Sequence, residues 1–341
     1  MKTNTGRFFE DYFIGQVIDH ACPRTIGAGE RALYHALYPS RHALYSSDLF
    51  AQSCGLEFSP IDDLIVFHVV FGKSVPDISI NAVANLGYAE ARWLEPVYPG
   101  DTLNSRSTVV GVKQNSSGKT GVVWVRTEGF NQEDKMVISF IRWVMVRKRD
   151  PLETSTETVV PILKDIVSAA DLTVPINLNF NSYSTVLSGS SYKVSDYKVG
   201  EIIDHADGIT ITESEHMMAT RLWQNTAKVH FDSTLRPDGK RLIYGGHIIS
   251  MARALSFNGL QNMQMIAAIN AGVHVNPCFA GDTIYAWSEV LDLAETAKPS
   301  IGAIRLRLVA TKGQAGLLHD KNGKYNSAVL LDLDYWAFAP S

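Results

Sequence analysis

The segment DYFIGQVIDHA, residues 11–21, returns later in the chain as DYKVGEIIDHA, residues 196–206. Seven of the eleven positions are identical, at a constant offset of 185 residues. A second pair of segments, EPVYPGDTL at 95–103 and NPCFAGDTI at 276–284, agrees at an offset of 181. The 341-residue chain is therefore a tandem duplication, and its second copy is four residues shorter between these two anchors.

Each copy follows the same coarse plan: an opening strand, a short helical piece, an irregular stretch, a central helix and then several strands. Alternation such as Arg305 and Arg307 against Leu306 and Leu308 indicates half-buried antiparallel strands, with one face towards solvent. The later strands are predicted at residues 102–114, 121–131 and 136–148 in copy 1, and at 283–293, 301–311 and 327–338 in copy 2.

The central element is predicted to be a helix in both copies, for different reasons. In copy 2, Ile248, Ala252 and Leu255 fall at i, i+4 and i+7, which places them on one helical face. In copy 1, residues 64–71 (LIVFHVVF) are apolar on every side, so the repeat rather than the periodicity predicts the helix. A long helix wrapped by an antiparallel sheet is the hot-dog architecture. The chain is thus predicted to be an α+β double hot-dog of two tandem hot-dog repeats.

The repeat also divides the chain into segments. The N-terminal hot-dog repeat is predicted at residues 1–149, the linker at 150–191 and the C-terminal hot-dog repeat at 192–341. The linker opens with DPLETSTETVVP and continues rich in Ser, Asn and Thr, which is typical of connecting segments. One short helix is expected within it, at 162–170.

The composition narrows the class of protein. With 45% hydrophobic and 19% charged residues it is ordinary for a soluble globular chain. A net charge of -4 gives no electrostatic footprint for nucleic acid or an anionic membrane. Three widely spaced cysteines indicate neither a disulfide framework nor a thiolate metal site. Because no apolar stretch is long enough to span a bilayer and no signal-peptide pattern opens the sequence, a cytoplasmic location is expected.

Only copy 2 carries an imidazole and an amide at two aligned positions. At the offset of 185, Asn225 aligns with Ser40 and His230 aligns with Tyr45. An imidazole, with an unperturbed pKa of about 6.5, can accept or donate a proton near neutral pH, so His230 is the candidate general acid/base. The histidines kept in both copies, within the IDHA strand, are predicted to be structural hydrogen-bonding residues: His20 and His205.

Gly245 and Gly246 open the central helix of copy 2, and copy 1 has no glycine at the aligned positions under either offset. A helix that begins near Gly246 presents unpaired backbone N–H groups and a partial positive charge. Glycine leaves the approach to these groups unobstructed. The neighbouring His247 is interpreted as a surface residue of the helix N-terminus. The combination suits stabilisation of a developing oxyanion beside an imidazole acid/base.

The order Asn225-Thr-Ala-Lys-Val-His230, followed by Gly245-Gly246-His-Ile-Ile, resembles the signature of the MaoC-like, (R)-specific enoyl-CoA hydratase family of double hot-dog proteins. That signature is an Asp, four intervening residues and a His, then a glycine-opened hot-dog helix. The resemblance covers nearly the whole chain. Four longer segments narrow it to members that act on a short, branched, carboxylated enoyl-CoA: FFEDYFIGQVIDHACPRTI, ALYHALYPSRHALYSSDLFA, ARWLEPVYPGDTL and WQNTAKVHFDSTLRPDGKRLIYGGHI.

The resemblance implies reversible addition of water across the C2=C3 bond of an enoyl-CoA, without a cofactor or a metal. Water's oxygen goes to C3, a proton goes to C2, and negative charge builds on the thioester oxygen. His230 would be the acid/base, with Asn225 as the other catalytic position of the motif. The N–H of Gly246 would be the oxyanion donor, and Gly245 would clear the approach.

The main departure from the family pattern is Asn225, where the pattern has Asp. An amide can orient a water or a substrate hydroxyl, but it cannot accept a proton from either. Either His230 is the sole proton carrier or a nearby carboxylate takes part, such as Asp232 or Glu213. The sequence leaves both alternatives open.

A free carboxylate on the substrate would need a cation near the acyl pocket. The candidates, by their proximity to the motif, are Arg41, Arg221 and Lys228, and Arg24 is a further one. The candidates for the CoA phosphates are Lys240 and Arg241. The large side chains of Phe67 and Phe71 fit two interpretations equally well, closure of the acyl channel and packing in the core.

Other interpretations of the same residues are kept. Within the family, a generic (R)-specific enoyl-CoA hydratase or an itaconyl-CoA hydratase is an alternative. Hot-dog folds also support acyl-CoA hydrolysis, so a thioesterase is the second enzymatic hypothesis. A non-catalytic acyl-CoA-binding module is the third, and Asn225 in place of Asp favours it.

Residues 99–101 and 280–282 recur in both copies and are predicted to be turns. A homodimer of double hot-dogs is a further expectation.

Overall fold

One antiparallel sheet of ten strands runs through both copies in the computed structural model, which describes residues 2–153, 157–313 and 316–341. Copy 1 contributes β1 (Val17–Thr25), β2 (Ala82–Trp93), β3 (Thr102–Gln114), β4 (Thr120–Phe130) and β5 (Met136–Arg147). Copy 2 contributes β6 (Ile202–Thr210), β7 (Met265–His274), β8 (Thr283–Glu295), β9 (Ile301–Lys312) and β10 (Val329–Pro340). The spatial order is β1-β3-β4-β5-β2-β7-β10-β9-β8-β6, so the copies join edge to edge through β2 and β7.

The helices repeat in the same way. Those of copy 1 are α1 (Ala28–Leu37), α2 (Ala43–Ser46), α3 (Asp48–Ser53) and α4 (Asp63–Ile78). The linker holds α5 (Thr185–Ser188), and copy 2 holds α6 (Glu213–Leu222), α7 (Lys228–Phe231) and α8 (Gly245–Leu255). The central helices are α4 and α8, as the repeat predicted. Among the described residues, none of the helices combines the length and the apolar character that crossing a membrane requires.

The first central helix, α4, is apolar on every side because it packs between the sheet of copy 1 and the helices of copy 2. Its N-terminus is capped by Asp62, whose side chain accepts the Leu64 N–H at 2.9 Å. At Gly72, a Cβ would lie 1.8 Å from the Trp223 carbonyl oxygen, so only glycine allows this approach. Deeper in the core, the His68 ring reaches Ser250 of α8. Burial on both sides explains why the periodicity of this segment was uninformative.

The histidines shared by both copies are structural, as predicted. The two ring nitrogens of His20 bond Asp77 at 2.9 Å and Ser107 at 2.7 Å. In copy 2, Nδ1 of His205 bonds the Asn258 carbonyl at 2.7 Å, so the same strand position is used for the same purpose. These rings hold an opening strand against the end of a central helix and do not face the cavity described below.

The recurring turns are also confirmed. The Asp101 carboxylate accepts the Tyr98 N–H at 2.8 Å, and Asp282 accepts the corresponding N–H of Phe279 at 3.0 Å. Gly100 and Gly281 adopt φ angles of 106° and 95°, which only glycine adopts without strain. Both carboxylates therefore close turns before a strand.

The helix predicted at 162–170 is wrong. That segment is irregular, apart from a 3₁₀ turn at Ala169–Asp171, and residues 154–156 of the predicted linker lie outside the described residues. Its backbone bonds to side chains of the sheet instead of to itself. The Val167 N–H donates to Asn270 at 2.8 Å, and the Val167 carbonyl accepts from the Trp336 indole at 3.1 Å. Because the sheet satisfies these groups, a helix would gain nothing here.

Candidate active site

A cavity of about 250 Å³ lies where the two copies meet. Copy 1 contributes Phe71 of α4 and the side chains of β2 and β5 that face it, whereas copy 2 contributes His230, Gly245 and part of β7. Most of the wall is apolar, and none of the described residues that line it is Asp or Glu. Proton transfer in this cavity must therefore use a group other than a carboxylate, and its lining includes two imidazoles, those of His230 and His274.

The helical turn that carries His230 is set up by Asn225. The Asn225 side chain, 2% exposed, accepts the Ala227 N–H at 3.1 Å through Oδ1. This is an Asx-type turn, and α7 begins directly after it at Lys228. Asn225 also lines the cavity. The amide thus positions the turn and contributes to the cavity wall.

The tautomer of His230 follows from its partner. Its Nδ1 lies 2.7 Å from the Leu242 carbonyl oxygen, which can only accept, so Nδ1 carries the proton. Nε2 then has a free lone pair, and the half-buried ring lines the cavity. Burial lowers the pKa of His230 to about 4, although the bond to the Leu242 carbonyl opposes that shift. The ring is therefore neutral at physiological pH and ready to accept a proton.

The N-terminus of α8 faces the same cavity. Gly245 is the first residue of the helix and lines the wall, and Gly246 lies behind it, buried against Tyr244 and His68. A Cβ on Gly245 would lie 2.3 Å from Nε2 of His274. In this first turn the His247 N–H donates to the Tyr244 carbonyl at 2.9 Å. The N–H groups of Gly245 and Gly246 have no intrahelical acceptor, so they and the helix dipole are available to an anion.

The core beneath the cavity holds several histidines around Tyr244. The Tyr244 N–H donates to Nε2 of His216 at 3.1 Å, and its hydroxyl lies 3.3 Å from Nδ1 of His68. The ring of His230 is 5.7 Å from the Tyr244 ring, centroid to centroid. Burial lowers the pKa of both His68 and His216 to about 3, so this cluster is uncharged. Tyr244 is thereby fixed between the imidazole and the helix N-terminus.

The interpretation of His247 as a surface residue is wrong. Its side chain is fully buried, and Nδ1 bonds the Tyr38 hydroxyl at 2.6 Å. The His247 side chain is covered because Tyr38, at the end of α1, packs against it. His247 does not line the cavity, so it does not rival His230 for contact with a substrate.

His274, at the end of β7, was not singled out from the sequence. It lines the cavity, and its Nε2 lies 3.2 Å from the Tyr88 hydroxyl. Burial lowers its pKa to about 4, and the nearby His230 adds to that effect. A second neutral imidazole therefore stands beside the first one. Only the pairing of β7 with β2 across the two copies brings it there.

Copy 1 contains the residues equivalent to His230 and Gly245, and there the two side chains contact each other directly. Helices α4 and α8 begin at Asp63 and Gly245, so these residues are equivalent, and Tyr45 is the equivalent of His230. The Tyr45 hydroxyl donates to the Asp63 carboxyl group, which also accepts the Ile266 N–H at 2.6 Å. Burial raises the pKa of Asp63 to about 8. The two equivalent positions are thus bonded to each other, whereas in copy 2 they border a cavity.

The carboxylates considered for proton transfer lie elsewhere. Asp232 accepts bonds from the backbone and side chain of Thr234, and Glu213 pairs with Arg241. Neither carboxylate lines the cavity. The alternative in which His230 works without a carboxylate is therefore the one that the geometry favours.

The predicted cations are only partly brought to the site. Lys228 lines the cavity with its side chain otherwise exposed, but Arg41 lies over the Phe257 ring at 4.5 Å and Arg221 is exposed at the end of α6. The remaining candidates are also engaged away from the cavity: Arg24 with Glu30, Arg241 with Glu213 and Lys240 over Phe279. Of the two phenylalanines, Phe71 lines the cavity and Phe67 packs in the core. The guanidinium that does line the cavity, Arg142, was missed.

Comparison with known proteins identifies the family. A family model described as mesaconyl-CoA hydratase matches residues 2–317. The chain belongs to the mesaconyl-CoA hydratase family. A relative from Cereibacter sphaeroides named mesaconyl-CoA hydratase is 64% identical over 100% of both chains. A relative from Chloroflexus aurantiacus named beta-methylmalyl-CoA dehydratase is 58% identical over 99% of this chain and 98% of its own.

The solved structures that this chain resembles support the same family assignment. The crystal structure of a MaoC domain protein dehydratase from Chloroflexus aurantiacus is 57% identical, with a TM-score of 0.97 over 100% of this chain and 99% of that one. A Mycobacterium tuberculosis protein described as a double hot-dog matches with a TM-score of 0.79 at 23% identity, over 99% of both chains, and shows the fold alone. The predicted double hot-dog fold and the resemblance to MaoC-like hydratases are confirmed, and the mesaconyl-CoA hydratase family is the narrower group within them.

Proposed function

We propose that this chain is a hydro-lyase that adds water to mesaconyl-CoA (2-methylfumaryl-CoA) to give β-methylmalyl-CoA, and that it also catalyses the reverse dehydration. The names of its full-length relatives support both directions of this reaction. The observation that carries the proposal is the cavity in which a neutral His230 and the N-terminus of α8 face the same space. These are the two groups that hydration of an enoyl thioester requires.

The roles follow from the positions of the groups. Nε2 of His230 takes a proton from water as the water oxygen bonds to C3 of the substrate. The electrons of the C2=C3 bond shift towards the thioester, and its oxygen becomes an enolate. The N–H groups of Gly245 and Gly246 stabilise that charge at the helix N-terminus. The imidazolium then returns the proton to C2, which regenerates neutral His230. Asn225 holds the helical turn of His230 and orients the attacking water.

Hydrolysis of the thioester is the weaker hypothesis for this cavity. Thioesterase sites generally need a carboxylate that directs water at C1, and the described lining contains neither Asp nor Glu. A non-catalytic binding module, favoured by Asn225 in place of Asp, would not need an imidazole with a fixed tautomer and a free Nε2. The same site therefore supports hydration better than either alternative.

The function is tested by offering mesaconyl-CoA, crotonyl-CoA and itaconyl-CoA to the purified protein. We expect the conjugated enoyl absorbance of mesaconyl-CoA to fall fastest. A thiol reagent added in parallel should detect no free CoA beyond the uncatalysed background. Release of CoA in step with the loss of substrate would instead establish a thioesterase, and no change with any of the three would exclude the proposed activity.

The pKa of His230 leads to a distinct pH profile. Because burial lowers it to about 4, the ring is neutral, and thus competent as a base, throughout the range above that value. We expect kcat/KM for hydration to be nearly constant from about pH 8 down to about pH 5 and to fall only as the pH approaches 4. Initial rates across this range measure it, with each sample returned to pH 7 to check that activity is recovered. A midpoint near 6.5 would mean that the half-buried ring is solvated enough to keep its ordinary pKa.

A substrate of the acyl-CoA class agrees with the family to which the chain belongs. The homodimer of double hot-dogs and the cytoplasmic location stay predictions.

A further inference from the structure

Arg142 is a buried cation for which the described residues supply no anion. It belongs to β5, is 0% exposed and lines the cavity. Its two terminal nitrogens donate to Ser79 at 2.7 Å and to Ser74 at 2.8 Å, and its Cζ lies 4.3 Å from the Phe71 ring centroid. Its Nε has no hydrogen-bond partner, and no described Asp or Glu lies within ion-pair distance.

Such an arrangement is costly unless an anion completes it. Burial lowers the pKa of Arg142 to about 10, so the group is still charged at neutral pH. A buried charge normally has a counter-ion, because the loss of hydration is otherwise uncompensated. Two hydroxyl groups and an aromatic ring hold the guanidinium in place here, but they do not neutralise it. The missing negative charge must come from a molecule that enters the cavity.

Asn85 provides a second, independent sign of a ligand at the same end of the cavity. Both polar atoms of its side chain are buried and find no partner in the described part of the chain, and the residue lines the cavity. In the sheet Asn85 pairs with Val144, which lies two residues from Arg142 along β5 and therefore on the same face. An unpaired amide and an unpaired guanidinium N–H thus border one space.

We propose that Arg142 and Asn85 form the subsite for the free carboxylate of the acyl group. The guanidinium Nε–H and the amide N–H donate to the carboxylate oxygens, and the methyl-bearing carbon lies against the apolar wall. The identity of the acyl group rests on the proposed function, but the preference for a carboxylate does not. Arg142 is fully buried whereas Lys228 is exposed, so the deep end receives the acyl group and the CoA remains near the surface.

Two unreactive thioesters test the subsite without relying on catalysis. Succinyl-CoA carries a terminal carboxylate, and butyryl-CoA carries a methyl group at the same position on the same CoA. We expect wild-type protein to bind succinyl-CoA more tightly, and Arg142→Met to weaken that binding by about 10²-fold while leaving butyryl-CoA within about threefold. Dissociation constants by calorimetry or ligand displacement measure both.

The matched control is Arg126→Met on the neighbouring strand β4. Arg126 pairs with Glu90 at 3.0 Å outside the cavity, so both dissociation constants should stay at their wild-type values. If Arg142→Met does not fold, Asn85→Ala serves as the second variant, and we expect it to weaken succinyl-CoA selectively by about 10-fold. Thermal unfolding establishes whether each variant is folded.

The outcomes separate the subsite from the reaction. Equal weakening of both thioesters would overturn the subsite, since it would mean that Arg142 contacts the CoA or only supports the end of α4. Equal affinity of the two thioesters in wild-type protein would also overturn it. Selective loss of succinyl-CoA in the variants, together with no hydration of mesaconyl-CoA by wild type, would retain the subsite and reject the proposed reaction.

Discussion

His230→Ala should lower kcat for hydration of mesaconyl-CoA by about 10²–10⁴-fold, which is the usual contribution of a positioned acid/base group. The variant loses the Nε2 lone pair that takes the proton from water, and no carboxylate among the residues that line the cavity can replace it. KM should change little, because the ring is a small part of the cavity wall. Initial rates followed by the enoyl absorbance measure the effect.

The control for this variant is His319→Ala. His319 is exposed and packs only against Tyr325 among the aromatic rings described, so its removal should leave kcat at the wild-type value. His230→Ala should keep its fold, because the side chain bonds a single backbone carbonyl, that of Leu242. An unfolding temperature within a few degrees of wild type would establish this. Wild-type activity in a folded His230→Ala protein would remove the imidazole from the mechanism.

The internal repeat distinguished His230 from the other histidines before the structure placed it on the cavity wall. Each position of copy 2 has an aligned position in copy 1, so a residue needed only for the hot-dog core should occur in both copies. His20 and His205 follow that rule and hold opposite ends of the scaffold. His230 does not, because Tyr45 occupies its place and bonds Asp63. The comparison of copies therefore distinguishes residues that the hot-dog core needs from candidates for a site in one copy.

The carboxylate subsite could not be predicted in the same way. Arg221 lies close to the motif in sequence and Arg41 lies beside the aligned segment of copy 1, whereas Arg142 reaches the cavity from β5, far from both segments. The two copies meet through β2 and β7, and neither strand was located from the sequence. Both are rich in Ala and Gly, residues with low β-propensity. Residues that meet only across this junction leave no local pattern.

The orientation of the helix N-terminus towards the cavity was predicted in part. The glycine pair and the helix start were evident from the sequence, but the structure puts Gly245 on the cavity wall and Gly246 behind it. Which residue of a helix N-terminus faces a ligand depends on the rotation of the helix about its axis. That rotation is fixed by packing against Tyr244 and His68, which come from different copies. Helix periodicity alone does not supply it.

Gly245→Ala should lower kcat by about 10²-fold, as expected when an oxyanion donor is displaced. The new Cβ would lie 2.3 Å from Nε2 of His274, so either the ring or the first turn of α8 must move. Movement of the turn takes the backbone N–H away from the thioester oxygen, and movement of the ring narrows the cavity. Initial rates with mesaconyl-CoA and the unfolding temperature, which should fall by several degrees, measure the two consequences.

Gly29→Ala is the matched control for that substitution. Gly29 lies in the first turn of α1, with open space around its Cβ position, so alanine there should leave activity unchanged and stability unchanged or slightly higher. Adding His274→Ala to Gly245→Ala should recover most of the lost unfolding temperature, because it removes the ring that the methyl group meets. A Gly245→Ala protein with more than half of wild-type kcat would show that the first turn of α8 does not contact the reacting thioester.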